Sequence, residues 1–496
     1  MRRLLIGYDI GSSSVKTTLL DADTGKVVAS EGQPKVEMPI DSPQKDWAEQ
    51  DPMMWWKYVV STTQSVLHAG EVKTGEVKGI GISYQMHGLV LVDKDQEVIR
   101  PAIIWCDSRA VGIGNQAFDE LGGEFCLSNL LNSPGNFTAS KLKWVKENEP
   151  GNYAKIHKAM LPGDFIAMKL SGEIFTTESG LSEGVYWDFK KNQLSQELLN
   201  YYGIDNDLLP KAVDSFSEAG KVSTQASELL GLEAGIPITY RAGDQPNNAF
   251  SLNVLEKGEL ATTAGTSGTV YGVSDQPVYD PKSRVNTFLH VNHEANNPHY
   301  GVLLCINGTG ILNSWLKRML GGESIIYEEM NSLASEVPVG AEGLSFIPFG
   351  NGAERIMENK SVGAHLSGLN LLKHDKRHVL RAGQEGIVSA LTFGFNIMKN
   401  MGLSLNTVKA GRANMFLSSL FREAFVNMNE VNLEFYDTDG AQGAARGAGI
   451  GAGIYAHPQD AFVGLEKVAS FEPHPKLVEE YRGVYQNWEE SLAKVK

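Results

Sequence analysis

The sequence predicts an α/β protein of two lobes built on one repeated plan. Three observations carry this. Strand-like apolar segments alternate with helical ones in both halves, a glycine- and hydroxyl-rich turn stands between two strand-like segments at Gly11 and again at Gly265, and 496 residues exceed what one ordinary core holds.

Residues 4–9 form an apolar segment of strand type, Gly11-Ser12-Ser13-Ser14 turn the chain, residues 15–20 return as a second strand, and Thr24-Gly25 lead into a third at 27–29. The spacing predicts a three-strand meander. A helical pattern over 53–67 and a strand over 77–83 follow. The same grammar recurs as strand 259–264, turn Gly265-Thr266-Ser267-Gly268, strand 269–274 and a further strand over 300–306. Ile387, Leu391, Phe395 and Met398 share one helical face; residues 406–409 then read as strand, 414–426 as helix, 431–436 as strand and 440–455 as helix. A glycine, proline and asparagine cluster at 245–253 sets the boundary. The expected lobes are 1–246 and 254–455, with a charged helical tail over 456–496 packing back on the body.

Composition narrows the class. A formal charge of −15, with no lysine- and arginine-rich run interleaved with aromatics, opposes nucleic-acid binding. No apolar run is long enough to cross a membrane. Asp9 interrupts the short apolar N-terminal run, so no signal peptide is expected. Three widely separated cysteines, Cys106, Cys126 and Cys305, suggest neither a disulfide framework nor a zinc site and fit a reducing cytoplasm.

The two repeated turns are candidates for anion binding, because successive backbone N–H groups and hydroxyls at a tight turn converge on a phosphate. Asp9 ends the first strand just before such a turn, where it could hold Mg²⁺ through water, or simply cap the turn. Asp244 follows a strand-like segment at the interlobe boundary. A carboxylate there could accept a hydroxyl proton in phosphoryl transfer, although spacing alone favours a structural turn aspartate. Met86-His87-Gly88 follows the strand ending near Ser83, and Trp105-Cys106-Asp107-Ser108-Arg109 follows Ile103-Ile104. His87 could donate to a sugar hydroxyl, and the Trp105 indole suits a sugar's C–H face. Glycines 447, 449, 451 and 453 lack the G-x-G-x-x-G register and are expected to permit close helix packing. A P-loop is absent.

These segments resemble the FGGY carbohydrate kinases and, within them, the xylulokinases, from about residue 5 to about 455. The resemblance rests on GYDIGSSSVKTTLLD (7–21), DWAEQDPMMWW (46–56), GISYQMHGLVLVD (81–93), RPAIIWCDSRA (100–110), FTASKLKWVKEN (137–148), LPGDFIAMKLSGE (161–173), AGDQPNNAF (242–250), TAGTSGTVYGVS (263–274) and VKAGRANMF (408–416). It implies a duplicated actin-like ATPase (ribonuclease H-like) fold, two lobes with ATP and Mg²⁺ in a central cleft. Asp244 is then the base, Asp9 assists Mg·ATP, and Met86, His87, Trp105 and Gln245 lie with Asp244 around the sugar. Gly11, Ser12, Ser13, Ser14 and Lys16, with Gly265, Thr266, Ser267 and Gly268, hold phosphates, while Ala410, Gly411 and Asn414 lie along the nucleotide. The implied reaction is transfer of the ATP γ-phosphate to O5 of D-xylulose, and the implied assembly a homodimer.

The sequence departs from the xylulokinase pattern at four places. Gln245 stands where asparagine is usual and resembles glycerol kinases, which keeps glycerol, ribulose and gluconate open as substrates. GAER (352–355) has an extra alanine in a GER-type turn, so Glu354 and Arg355 receive no role. The second signature, 364–385, departs at Gly383 and Gln384, and Ala410 replaces a usual glycine. A non-catalytic actin-like ATP-binding protein is the rival of another class, which Met86-His87 together with Asp244 disfavours.

Overall fold

A computed structural model describes residues 1–321 and 325–496. In the first half, β1 (Leu4–Ile10), β2 (Val15–Asp21), β3 (Val27–Gln33), β4 (Val77–Tyr84) and β5 (Ile238–Gly243) form one sheet in the order β5-β4-β1-β2-β3. The first three pair antiparallel, as the meander requires, and β1, β4 and β5 run parallel. β1 is buried except at Asp9, so the sheet must be covered on both faces. On one face lies α1 (Pro52–Ala69), capped by Asp51, whose carboxylate accepts from Met53 N at 2.9 Å.

The second half holds β6 (Leu260–Ala264), β7 (Gly268–Ser274), β8 (Asn286–Leu289), β9 (Tyr300–Ile306), β10 (Thr407–Gly411), β11 (Asn432–Tyr436) and β12 (Lys467–Phe471), ordered β8-β9-β7-β6-β10-β11-β12. Its inner strands β9-β7-β6-β10-β11 repeat the first sheet's order and directions. This is the duplicated actin-like, ribonuclease H-like plan. Helices α2 (Thr138–Asn148) and α3 (Glu178–Glu183) belong to the long insertion between β4 and β5. α4 (Asp244–Ser251) follows β5 directly; α5 (Gly310–Leu316), α6 (Lys376–Asn400) and α7 (Ser419–Asn429) follow in the second half. One apolar cluster joins the halves, packing Leu142, Tyr186 and Leu198 of the insertion with Tyr271, Phe288 and Leu303.

Two placements differ from the order of elements along the sequence. α8 (Gly440–Gly451) belongs by sequence to the second half, yet it packs across β1, β4 and β5 and covers the other face of the first sheet. Backbone meets backbone there: a Cβ on Gly7 would stand 1.9 Å from the Ala441 carbonyl oxygen, and one on Gly81 1.9 Å from that of Ala444. On the helix side, a Cβ on Gly447 would meet the Tyr240 ring at 2.5 Å. The glycines at this interface therefore serve close packing. The charged tail, expected to be helical, supplies a 3-10 turn (Pro458–Phe462), then β12, antiparallel to β11, and then α9 (Pro475–Ala493), which buries Tyr481, Trp488 and Leu492. Among the described residues no helix is long and apolar enough to cross a membrane.

Candidate active site

The two turns occupy equivalent places, between β1 and β2 and between β6 and β7. In the first, Gly11 N donates to Ser14 O at 3.0 Å, and Gln50 Nε2 fixes Ser12 O at 2.7 Å. In the second, Gly310 N donates to Gly265 O at 2.9 Å and Ile311 N to Thr266 O at 3.1 Å, so the turn is tied to the start of α5. A Cβ on Gly268 would fall 2.7 Å from Thr309 Oγ1, and Ser267 lies beside the Cys305 thiol. Beyond this turn opens a cavity of about 500 Å³ lined by Ala264, Gly265, Thr266, Asn313, Tyr327, Asn331, Asn414, Met415 and Leu417, among others. Apolar walls with a few amides suit a nucleoside. Asn414 adopts φ of 54°, a conformation that non-glycine residues take where the surroundings demand it. The Ala410 side chain does not line this cavity. It has no exposed surface and belongs to the core of the second half, because β10 is a central strand; Gly411, next along it, is not part of the cavity wall.

Asp9 and Asp244 converge from the ends of parallel strands. Asp9 accepts from Ser83 Oγ at 2.8 Å, and its Oδ2 lies 2.4 Å from where a Cβ on Gly440 would be, pressed against the start of α8. Burial, with the Asp439 charge adding, raises its pKa against the pull of Ser83 and Lys16. Lys16 pairs with Asp439 at 2.7 Å, the residue that caps α8 through Gln442 N at 2.9 Å. Asp244 opens α4, and burial first, then the Asp9 charge, push its carboxyl up to about 7, partly offset by hydrogen bonds from Gln245. A carboxyl titrating in that range can exchange a proton near neutral pH. Gln245 Oε1 accepts from Thr269 Oγ1 at 3.0 Å, and its side-chain amide donates to Asp244.

Met86 and Glu183 lie against Gly243, the residue before Asp244: a Cβ there would meet Met86 Cγ at 2.6 Å and Glu183 Oε2 at 2.4 Å. His87 holds φ of 61°. Its Nδ1 is 3.0 Å from the Glu183 carbonyl oxygen, which can only accept, so Nδ1 carries the hydrogen. Burial, then the Lys141 cation, push its pKa down to about 3. The neutral ring therefore presents Nε2 as an acceptor, where the sequence suggested a donor. Trp105 is 44% exposed and its Nε1 reaches Ser12 Oγ at 3.3 Å. Beneath these segments Arg109 packs on the rings of Trp47 (3.8 Å) and Trp144 (4.8 Å), which meet edge to face, and pairs with Asp107 at 2.6 Å and Glu49 at 2.7 Å. One guanidinium thus joins three of the sequence segments quoted above.

The sequence profile of the FGGY family of carbohydrate kinases, N-terminal domain, matches residues 4–251, half of the chain. The chain belongs to this family. The xylulose kinase of Haemophilus influenzae is 27% identical over 98% of both chains. Among solved structures, the xylulose kinase from Rhodospirillum rubrum superposes with a TM-score of 0.89 at 24% identity, covering 99% of each chain. The gluconate kinase from Lactobacillus acidophilus gives 0.90 at 22%, covering 100% of this chain and 98% of that one. This FGGY kinase is a sugar phosphotransferase, and its family implies the use of ATP.

Four polar residues of the kinase site carried no role in the sequence. Lys141 of α2 is fully buried, and its Nζ donates to the carbonyls of His87 and Ile104, each at 2.9 Å; burial lowers its pKa to about 8. Glu183 ends α3 against His87. Glu354 accepts from Asn307 N at 3.0 Å and Gly308 N at 2.9 Å, fixing the loop before α5, and burial raises its pKa to about 7. Arg355 Nη1 donates to Asn286 Oδ1 at 2.9 Å, and its guanidinium lies 5.4 Å from the Phe137 ring, itself 4.8 Å from the His87 ring. The GER-type turn was the available signal for the last two, hidden by the extra Ala353. Among the described residues no three His, Cys, Asp or Glu side chains form a metal cage. A single carboxylate such as Asp9 beside hydroxyl-rich turns fits Mg²⁺, which keeps several waters and takes phosphate oxygens.

Proposed function

We propose that this kinase transfers the γ-phosphoryl group of ATP to O5 of D-xylulose, with Asp244 as the general base. The observation that supports the base is the position of Asp244, at the start of α4 directly after the Gly243 that Met86 packs against and within reach of the Asp9 charge, with its carboxyl raised to about 7. Asp244 takes the proton of the attacking hydroxyl as the new O–P bond forms and the bond to the β-phosphate bridging oxygen breaks, releasing ADP. Amides and hydroxyls of Gly11, Ser12, Ser13, Ser14 and of Gly265, Thr266, Ser267, Gly268 hold phosphates, with Asn414 along the nucleoside and Lys16 near the first turn. Asp9 would hold Mg²⁺, which supplies charge neutralisation on the transferring phosphates. His87 Nε2 accepts from a sugar hydroxyl, and Met86, Trp105 and Gln245 complete the sugar's surroundings.

The xylulose kinase relatives support the ketose. Gln245, one methylene longer than the asparagine usual in xylulokinases and hydrogen-bonded to Asp244, supports a second reading in which the substrate is glycerol, ribulose or gluconate. Incubation with Mg·ATP and a panel of these compounds, followed by identification of the product and the phosphate position, tests both. Phosphorylation of gluconate or glycerol in preference to D-xylulose overturns the first.

A further inference from the structure

Glu183 is 1% exposed, and both its side chain and its backbone go to one residue. Its Oε1 accepts the His87 N–H at 3.2 Å, and its carbonyl oxygen accepts from His87 Nδ1 at 3.0 Å. Lys141 Nζ takes the His87 carbonyl. Every hydrogen-bonding group of the His87 backbone is thus held, and its φ of 61° lies in the left-handed region that only a few per cent of non-glycine residues adopt, histidine more often than most. The other carboxyl oxygen, Oε2, is buried without a hydrogen-bond partner and lies against Gly243, the residue before Asp244. A buried carboxyl oxygen with no partner carries a desolvation cost that packing does not return. Local packing therefore does not account for a glutamate here.

We infer that Glu183 is a positioning residue for sugar recognition, which holds His87 in the left-handed conformation from which its Nε2 meets a sugar hydroxyl and ties that histidine to the strand end bearing Asp244. The inference rests on the reading of His87 as a sugar contact. Burial raises the Glu183 carboxyl well above the usual range. The contact asks only for an acceptor oxygen at that length, since Oε1 takes the His87 N–H, so a carboxamide of the same length should replace it, whereas the shorter carboxyl of aspartate should not reach.

Steady-state kinetics of the full chain test this, with D-xylulose and ATP varied separately and gluconate and glycerol run in parallel, on Glu183→Ala, Glu183→Asp, Glu183→Gln and His87→Ala. Loss of one buried hydrogen bond at the histidine should raise the sugar KM about tenfold in the alanine and aspartate variants and leave the ATP KM within about twofold. Glutamine should restore the sugar KM to within about threefold of wild type. A normal sugar KM in Glu183→Ala beside a raised one in His87→Ala overturns the inference alone. Normal values in both overturn the sugar-site reading beneath it as well. Should the alanine variant fail to fold, the contrast between aspartate and glutamine decides, and equal behaviour of those two overturns the positioning role.

Discussion

Asp244→Asn removes the carboxylate while keeping its size, and the consequence should be read as a function of pH. A carboxyl with a pKa of about 7 is about half ionised at pH 7 and about one-hundredth ionised at pH 5, so kcat/KM should fall roughly fiftyfold between them. The asparagine variant should be slower at pH 7 by about 10²–10⁴, the usual contribution of a positioned base, and should lack that limb. Initial rates of ADP release from pH 5 to 8.5 at fixed free Mg²⁺ measure both. ATP and Mg²⁺ titrate identically for the two proteins, so the ratio of their rates isolates Asp244. A ratio that stays constant with pH, or a variant keeping more than about one-tenth of the wild-type rate, would refute Asp244 as the base.

The same raised pKa bears on stability. The folded protein binds the proton more tightly than the unfolded chain, so ionising Asp244 removes stability as pH rises from its ordinary carboxylate value to about 7. Asp244→Asn should therefore melt higher than wild type at pH 8, with the gap closing towards pH 4; scanning calorimetry across that range checks it, and a gap independent of pH contradicts it. Lys141→Met leaves the buried carbonyls of His87 and Ile104 without their donor, about 1–3 kcal/mol each, and should lower Tm and raise the sugar KM while the ATP KM holds. Gly81→Ala drives a methyl to 1.9 Å from the Ala444 carbonyl, which α8 can relieve only by moving off the sheet; urea denaturation should show a loss of about 1–3 kcal/mol or more. An unchanged midpoint would remove α8 as a close-packed element.

The meander and its repeat were legible because turn chemistry is local: Gly11 and Gly265 punctuate strands whose apolar runs lie within a few residues. Asp9 and Asp244 were visible as strand-end carboxylates for the same reason. Pairings over distance were not. Glu183 meets His87 across 96 residues, and Lys141 meets it across 54, so neither a helix end nor a lysine inside a helical motif announced the contact. The proton on His87 follows from the carbonyl it faces, so no property of the histidine itself could show that it accepts. Ala410 could be aligned with a nucleotide segment by motif alone, whereas its burial depends on β10 having neighbours on both sides. The glycines near residue 447 signalled a close approach without saying which sheet was approached.

α8 has the connectivity of one half and the contacts of the other. It follows β11 after only residues 437–439, yet it is clasped backbone to backbone on the first sheet. Any rotation of the halves against each other must be absorbed in part by that short link, beside Asp439, Lys16 and Asp9. The molecule is then a lever whose fulcrum sits at the chemistry. Displacement grows with distance from a fulcrum, so such a rotation would move the outer parts of the halves further than it moves Asp9 from its place against Gly440.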